Sequence, residues 1–212
     1  PDHCRATRSI PVLLETGTYL RVNSKTTNDA SGGNGDGILD SGERVSLDIQ
    51  LFSTGYTSAQ KLWAEVNALH PDVVMNEGIS LYPDIPVGDV QSNITDFEFT
   101  VGSSVPDETS LEFLVEIHDS TGGYWSENFA FEAHAPELEL YVNTVTDSTP
   151  LGDGNGIISD GEIFLLRVGL KNYGSGAAVG LEAKIRPEDA GITVIDSISG
   201  YGDMGLLDTC LL

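Results

Sequence analysis

Basic residues are scarce in this chain. Its 212 residues include 10 Lys and Arg against 33 Asp and Glu, a formal charge of −23. None of the ten lies between Lys61 and Arg167. A surface of that sign repels nucleic acid and anionic lipid headgroups, which excludes both as partners. Cysteine is nearly absent: Cys4 and Cys210 sit close to opposite ends. Two such residues exclude a disulfide framework and lack metal-ligand spacing, and their own pairing is a geometric matter that spacing leaves open. No apolar run approaches the roughly 18 residues of a spanning helix, so no membrane insertion is expected. No stretch sustains a period of 3.6, which argues against long helices. The chain opens on Pro1 without a signal-peptide pattern and reads as an internal piece of a longer polypeptide.

What the chain has in surplus is glycine, asparagine and aspartate, and they concentrate. Residues 34–43, Asn-Gly-Asp-Gly-Ile-Leu-Asp-Ser-Gly-Glu, recur at 153–162 as Asp-Gly-Asn-Gly-Ile-Ile-Ser-Asp-Gly-Glu. Oxygen-bearing side chains at alternate positions, separated by glycines that let the backbone turn, suit a hard cation such as Ca²⁺. In the first loop the candidate ligands are Asn34, Asp36, Asp40 and Glu43, with the Ile38 carbonyl and Asp29 reaching back across the loop. In the second they are Asp153, Asn155, Asp160 and Glu162, with Asp147 as the distal carboxylate. The competing reading is a pair of ion-free loops whose Asx turns bond their own backbone. From its third position the string follows an EF-hand loop. The first place, however, is Gly32 in one copy and Leu151 in the other, and no helical pattern flanks either, which excludes an EF-hand proper. Weak calcium sites fill where Ca²⁺ is abundant, so the loops predict an extracellular or cell-surface location.

Around the loops the pattern is that of strands. Thr18–Asn23 alternates. Val45, Leu47, Ile49 and Leu51 line one face of a strand, and Leu62, Ala64 and Val66 one face of another. Val73–Met75 is short, and Phe97, Phe99 and Val101, then Leu111, Phe113, Val115 and Ile117, then Phe129, Phe131 and Ala133 follow. Ala135-Pro136 reads as a junction, after which the pattern restarts at an offset of 119 residues from the loop onward, with Leu140–Asn143 echoing Leu20–Asn23. The expected architecture is all-β: a tail over 1–17, a first Ig-like β-sandwich over 18–135 and a second over 136–212. The second copy stops opposite Asn93, so counterparts of Phe97–Ala133 are missing and it is expected to be incomplete. Either the chain is a fragment, or a neighbouring chain supplies the strands, with Ile10–Leu14 as a candidate donor.

The loop, the alternating strand after it and the small-residue turn that follows (Ser53-Thr-Gly55, Asn172-Tyr-Gly174) resemble the cell-adhesion-related, CARDB-like Ig-like repeats of bacterial secreted proteins. The resemblance covers residues 18–133 fully and 138–208 in part. Such repeats stand in tandem behind catalytic domains, including gingipain-like and subtilisin-like peptidases. It implies a non-catalytic extracellular module used for spacing, stabilisation or adhesion, and no peptidase activity in these residues.

The remaining chemistry-bearing residues give less. His118-Asp119-Ser120 holds the residue types of a hydrolase triad, but three consecutive residues at a strand end point different ways. His3-Cys4 has no supporting base nearby. His70 and His134 read as strand-end residues. Trp63, Tyr124 and Trp125 are candidates for a glycan- or protein-binding patch, or for core cover. Three functions therefore compete: a calcium-stabilised spacer or adhesion module, a filament subunit completed by strand addition, and a carbohydrate-binding accessory domain.

Overall fold

The computed structural model describes residues 17–211. Cys4, the donor candidate Ile10–Leu14 and nearly all of the 1–17 tail lie outside the described residues. The chain is all-β. The first half contains β1 (Leu20–Asn28), β2 (Arg44–Ser53), β3 (Leu62–Ala68), β4 (Val73–Glu77), β5 (Ile79–Tyr82), β6 (Val90–Ser92), β7 (Phe97–Val101), β8 (Thr109–His118) and β9 (Tyr124–Ala133). The second contains β10 (Leu138–Thr146), β11 (Leu165–Asn172), β12 (Ala178–Lys184), β13 (Ile198–Met204) and β14 (Thr209–Leu211). Among the described residues no helix is long and apolar enough to cross a membrane.

Two antiparallel sheets enclose the first core. One runs β1-β2-β7-β4, with β6 also pairing β2; the other runs β5-β3-β8-β9. Alternation along each strand decides which side chains meet between them. Val45, Leu47, Ile49 and Leu51 of β2 face Leu111, Phe113, Val115 and Ile117 of β8, and all are buried. Phe113 is the hub, its ring 5.0 Å from Phe99 and 5.3 Å from Phe129. Burying each such side chain contributes about 1.5–3 kcal/mol.

A single residue shows how the sheet is stitched. β2 pairs β7 through Leu47 and β6 from Gln50 onward, so the backbone of Ile49 falls between two partners. Two side chains complete it: Asn93 Oδ1 accepts from Ile49 N at 2.6 Å, and the Tyr82 hydroxyl donates to Ile49 O at 2.9 Å. Buried backbone groups left unpaired would cost free energy. Asn93, whose sequence context matches a glycosylation acceptor, is thus buried and engaged in the fold.

The duplication is legible in the bonds. Tyr201, 119 residues after Tyr82, donates to Val168 O at 2.7 Å, and Val168 is the counterpart of Ile49. The pair Ala64–Ser80 recurs as Ala183–Ser199, and the pair of β2 with β6 recurs as β11 with β14. One part of the alignment shifts. Leu20 pairs Ser53 and Leu138 pairs Asn172, so β10 is offset from β1 by 118 residues and the true counterpart of Leu20 is Leu138. Aligning Leu140 with Leu20 slips the strand by two residues, which preserves the face and leaves the hydrophobic pattern unchanged.

The second unit has less core. Its sheets are β10-β11-β14 and β12-β13, and its buried cluster comprises Ala178, Tyr201 and Met204 with Leu170, Leu181, Ala183 and Cys210 against them. Leu47 is fully buried, whereas its counterpart Leu166 is 41% exposed. Among the described residues no strand of the second unit stands where β7, β8 and β9 stand in the first.

Candidate metal loops and the adjoining junction

The two loops share one backbone design. Gly35, Gly37 and Gly42 have positive φ, and so do Gly154, Gly156 and Gly161 at the matching positions. A side chain there would be strained, which is why the glycine spacing repeats. In the first loop the Asn34 side-chain oxygen accepts from Asp36 N at 2.9 Å, and Asp36 Oδ1 accepts from Ile38 N at 2.8 Å. In the second, Asp153 accepts from Asn155 N and Asn155 from Ile157 N, at 2.9 and 2.6 Å. These are consecutive Asx turns.

Two carboxylates in each loop act as clamps. Glu43 accepts from Asn34 N at 2.8 Å and Asp40 N at 3.1 Å; Glu162 does the same for Asp153 N and Ser159 N, at 3.3 and 2.7 Å. Asp29, buried, accepts from Gly35 N at 3.0 Å, and Asp147 accepts from Gly156 N at 2.9 Å. Glu43 rests against Gly33, where a Cβ would stand 2.5 Å from the carboxylate carbon. The distal role predicted for Asp29 and Asp147 is thus played on the backbone of the loop.

The loops differ at one position. Asp40 corresponds to Ser159, and Asp160 takes the place of Ser41. Asp160 is exposed and is not brought to the other candidates. Asp40 is 8% exposed, and its Oδ1 is buried with no hydrogen-bond partner. Its Oδ2 accepts from the Asn34 amide nitrogen at 2.9 Å, and the same nitrogen donates to Asp36 Oδ2 at 3.1 Å. An amide NH₂ therefore stands between two carboxylates, a place that a cation would satisfy more strongly. Burial above all, then the neighbouring charges of Glu43 and Asp36, push the Asp40 carboxyl up to about 6, with His134 and Asn34 opposing. Among the described residues no three His, Cys, Asp or Glu side chains converge as a ready-made chelate. The donor set of the first loop nonetheless fits a hard cation, because Asp40 offers a dehydrated oxygen without a partner. The second loop holds no such atom among its described residues.

The first loop is anchored to the end of β9. Ser41 N donates to His134 O and His134 N to Leu39 O, both at 2.8 Å, and Ser41 Oγ donates to Val105 O at 2.6 Å. Beyond His134 the chain crosses to the second unit, and the crossing is clasped. Asp107 accepts from Ala135 N and Ser175 N, each at 2.9 Å, and from the Ser175 hydroxyl; His134 Nδ1 lies 2.6 Å from Ser175 Oγ. Desolvation pushes the Asp107 carboxyl up, but the bonds from Ser175, Ala135 and Glu108 outweigh it and hold it below the usual carboxylate range. A cleft of about 760 Å³ opens here, lined by Asp40 and Glu43 of the loop, by Val105 and Asp107, and by Ala178 and Leu181 of the second unit. No motif marked Asp107 or Ser175 in the sequence, since neither lies in the repeated string.

Other candidates disperse. His118 stacks on Trp63 at 4.1 Å, Asp119 caps the turn by accepting from Thr121 N and Gly123 N, and Ser120 is exposed. Trp125 packs against the core, whereas Trp63 and Tyr124 flank His118 on the outer face of the sheet, so the structure brings together two of the three aromatic candidates. Cys210 is half-buried beside Tyr201.

No family model and no curated protein matches the chain. Among solved structures, the secreted serine protease VesC from Vibrio cholerae aligns at 12% identity and a TM-score of 0.31, covering 93% of this chain and 44% of that one. BcpA, the major pilin subunit of Bacillus cereus, aligns at 9% identity and a TM-score of 0.28, covering 91% and 65%. The chain spans less than two thirds of either protein, and at such scores neither alignment assigns it a family or an activity.

Proposed function

We propose that this chain is a non-catalytic, calcium-stabilised Ig-like module that serves as a spacer or adhesion region of a larger secreted or surface protein. One observation carries the reading: the buried, partnerless Asp40 Oδ1 in a loop that also presents Asp36, Asn34 and Glu43. Asp36 and Asp40 would hold the ion, in the place where the Asn34 amide nitrogen stands between them, with Glu43 and the Ile38 carbonyl beside them. Asp29 would keep the loop backbone in shape. The ion would neutralise carboxylates that otherwise repel one another and tie the loop to the start of β2. An extracellular setting follows from the same reading, because such sites fill only at high Ca²⁺. Thermal unfolding in millimolar Ca²⁺ and again in excess EGTA tests it. A higher midpoint with Ca²⁺, lost in Asp36→Ala and kept in Asn155→Ala, is expected; an unchanged midpoint would return both loops to ordinary Asx turns.

A second reading rests on the apolar face of the second unit, where Leu140 is 60% and Leu166 41% exposed. Strands from a neighbouring chain could cover it by strand addition, giving an extracellular filament. A discrete monomer by light scattering at high protein concentration would remove that reading.

A further inference from the structure

We infer that cation binding in the first loop sets how firmly the second unit is held. The inference rests on the calcium reading above and extends it from the loop to the junction. The path is short and made of named bonds. Asp40, the residue with the partnerless oxygen, is bridged to His134, and its neighbours Leu39 and Ser41 both exchange backbone bonds with His134 at 2.8 Å. His134 reaches Ser175 of the second unit at 2.6 Å, and Ser175 is held by Asp107, which also holds Ala135 N of the crossing. The crossing leaves little slack. Gly176 N donates to Ala135 O at 3.1 Å, and a Cβ on Gly176 would stand 2.8 Å from Ala135 Cα. Glu137 N donates to the buried Asn172 side chain at 3.0 Å.

Without a cation, Asp36, Asp40 and Glu43 repel one another in the strand-end loop that holds His134. Loosening there removes the support of the Ser175 contact. With the ion bound, the loop has one arrangement and His134 is presented to Ser175 in one place. Binding that orders the loop lowers the cost of ordering the junction, a coupling that needs no change of fold. The second loop has no equivalent path: Ser159 stands where Asp40 does, and Asp160 is exposed.

Hydrogen exchange on the full chain, in Ca²⁺ and in EGTA, measures this directly. Amides of residues 134, 135, 137 and 173–177 should exchange more slowly with Ca²⁺ by on the order of tenfold. Ser175→Ala removes the hydroxyl's contacts with His134 and Asp107 but keeps the backbone bond to Asp107. It should abolish the slowing at 173–177 while leaving the Ca²⁺-induced rise in the unfolding midpoint intact. A midpoint that rises with Ca²⁺ while exchange at the junction stays constant overturns this inference and spares the calcium reading. A slowing at 173–177 that survives in Ser175→Ala overturns the route through His134. No response of either quantity to Ca²⁺ overturns both.

Discussion

Replacing Asp40 by Asn should stabilise the protein when no cation is present. In the native loop the Asp40 carboxyl is pushed from 3.8 up to about 6, burial being the main cause. A folded value above the unfolded one means that the native state holds the proton more tightly. The group's contribution is therefore most favourable below about pH 4 and is lost as pH rises through about 6. Two units at about 1.4 kcal/mol each set a ceiling of about 3 kcal/mol. Part of the loop faces solvent, so the expected cost of the charge near neutral pH is about 1–3 kcal/mol. For a unit of this size that corresponds to a rise in midpoint of roughly 3–10 °C for Asp40→Asn in EGTA. The assay is thermal unfolding by circular dichroism at about pH 7.5 and about pH 5. The variant should exceed the parent at both, by about half as much at the lower pH, where the unfolded carboxyl is already ionised, and Ca²⁺ should raise the parent much more than the variant. A variant less stable than its parent at neutral pH in EGTA would refute the reasoning, showing that Asp40 is satisfied as a carboxylate without any ion.

Gly33→Ala places a methyl group against the Glu43 carboxylate and should release its bonds to Asn34 N and Asp40 N, costing about 2 kcal/mol in denaturant titrations. Tyr82→Phe leaves the buried Ile49 carbonyl without its hydroxyl donor and should cost about 1–3 kcal/mol by the same measurement. Phe113→Ala empties the centre of the first core and should cost about 3–5 kcal/mol, enough to threaten folding of that unit by near-ultraviolet dichroism.

Period-two alternation made β2, β3, β7 and β8 legible in the sequence, because each has one face almost entirely buried. It was silent on β5 and β6, which are too short to show a period and owe their pairing to neighbours. It also could not detect the two-residue slip between β1 and β10, since a shift of two leaves every side chain on its face. The loops were recognisable from their glycines, whose positive φ admits few alternatives. Their chemistry was less so. Matching residue types paired Asp40 with Asp160, although a transposed Ser-Asp puts Asp160 in the place of Ser41 and out in solvent. Only the partnerless Oδ1 singles out Asp40, since Asp29, Glu43 and Asp147 are equally well buried. The clasp of Asp107, His134 and Ser175 joins residues 28 to 68 positions apart and repeats nowhere, so no pattern could announce it.

Titration calorimetry with Ca²⁺ on the full chain counts the ions that the first loop holds. One bound ion per chain is expected, undiminished in Asn155→Ala and lost in Asp36→Ala. A chain that binds no Ca²⁺ at millimolar concentration, or that loses binding in Asn155→Ala while keeping it in Asp36→Ala, would contradict this expectation.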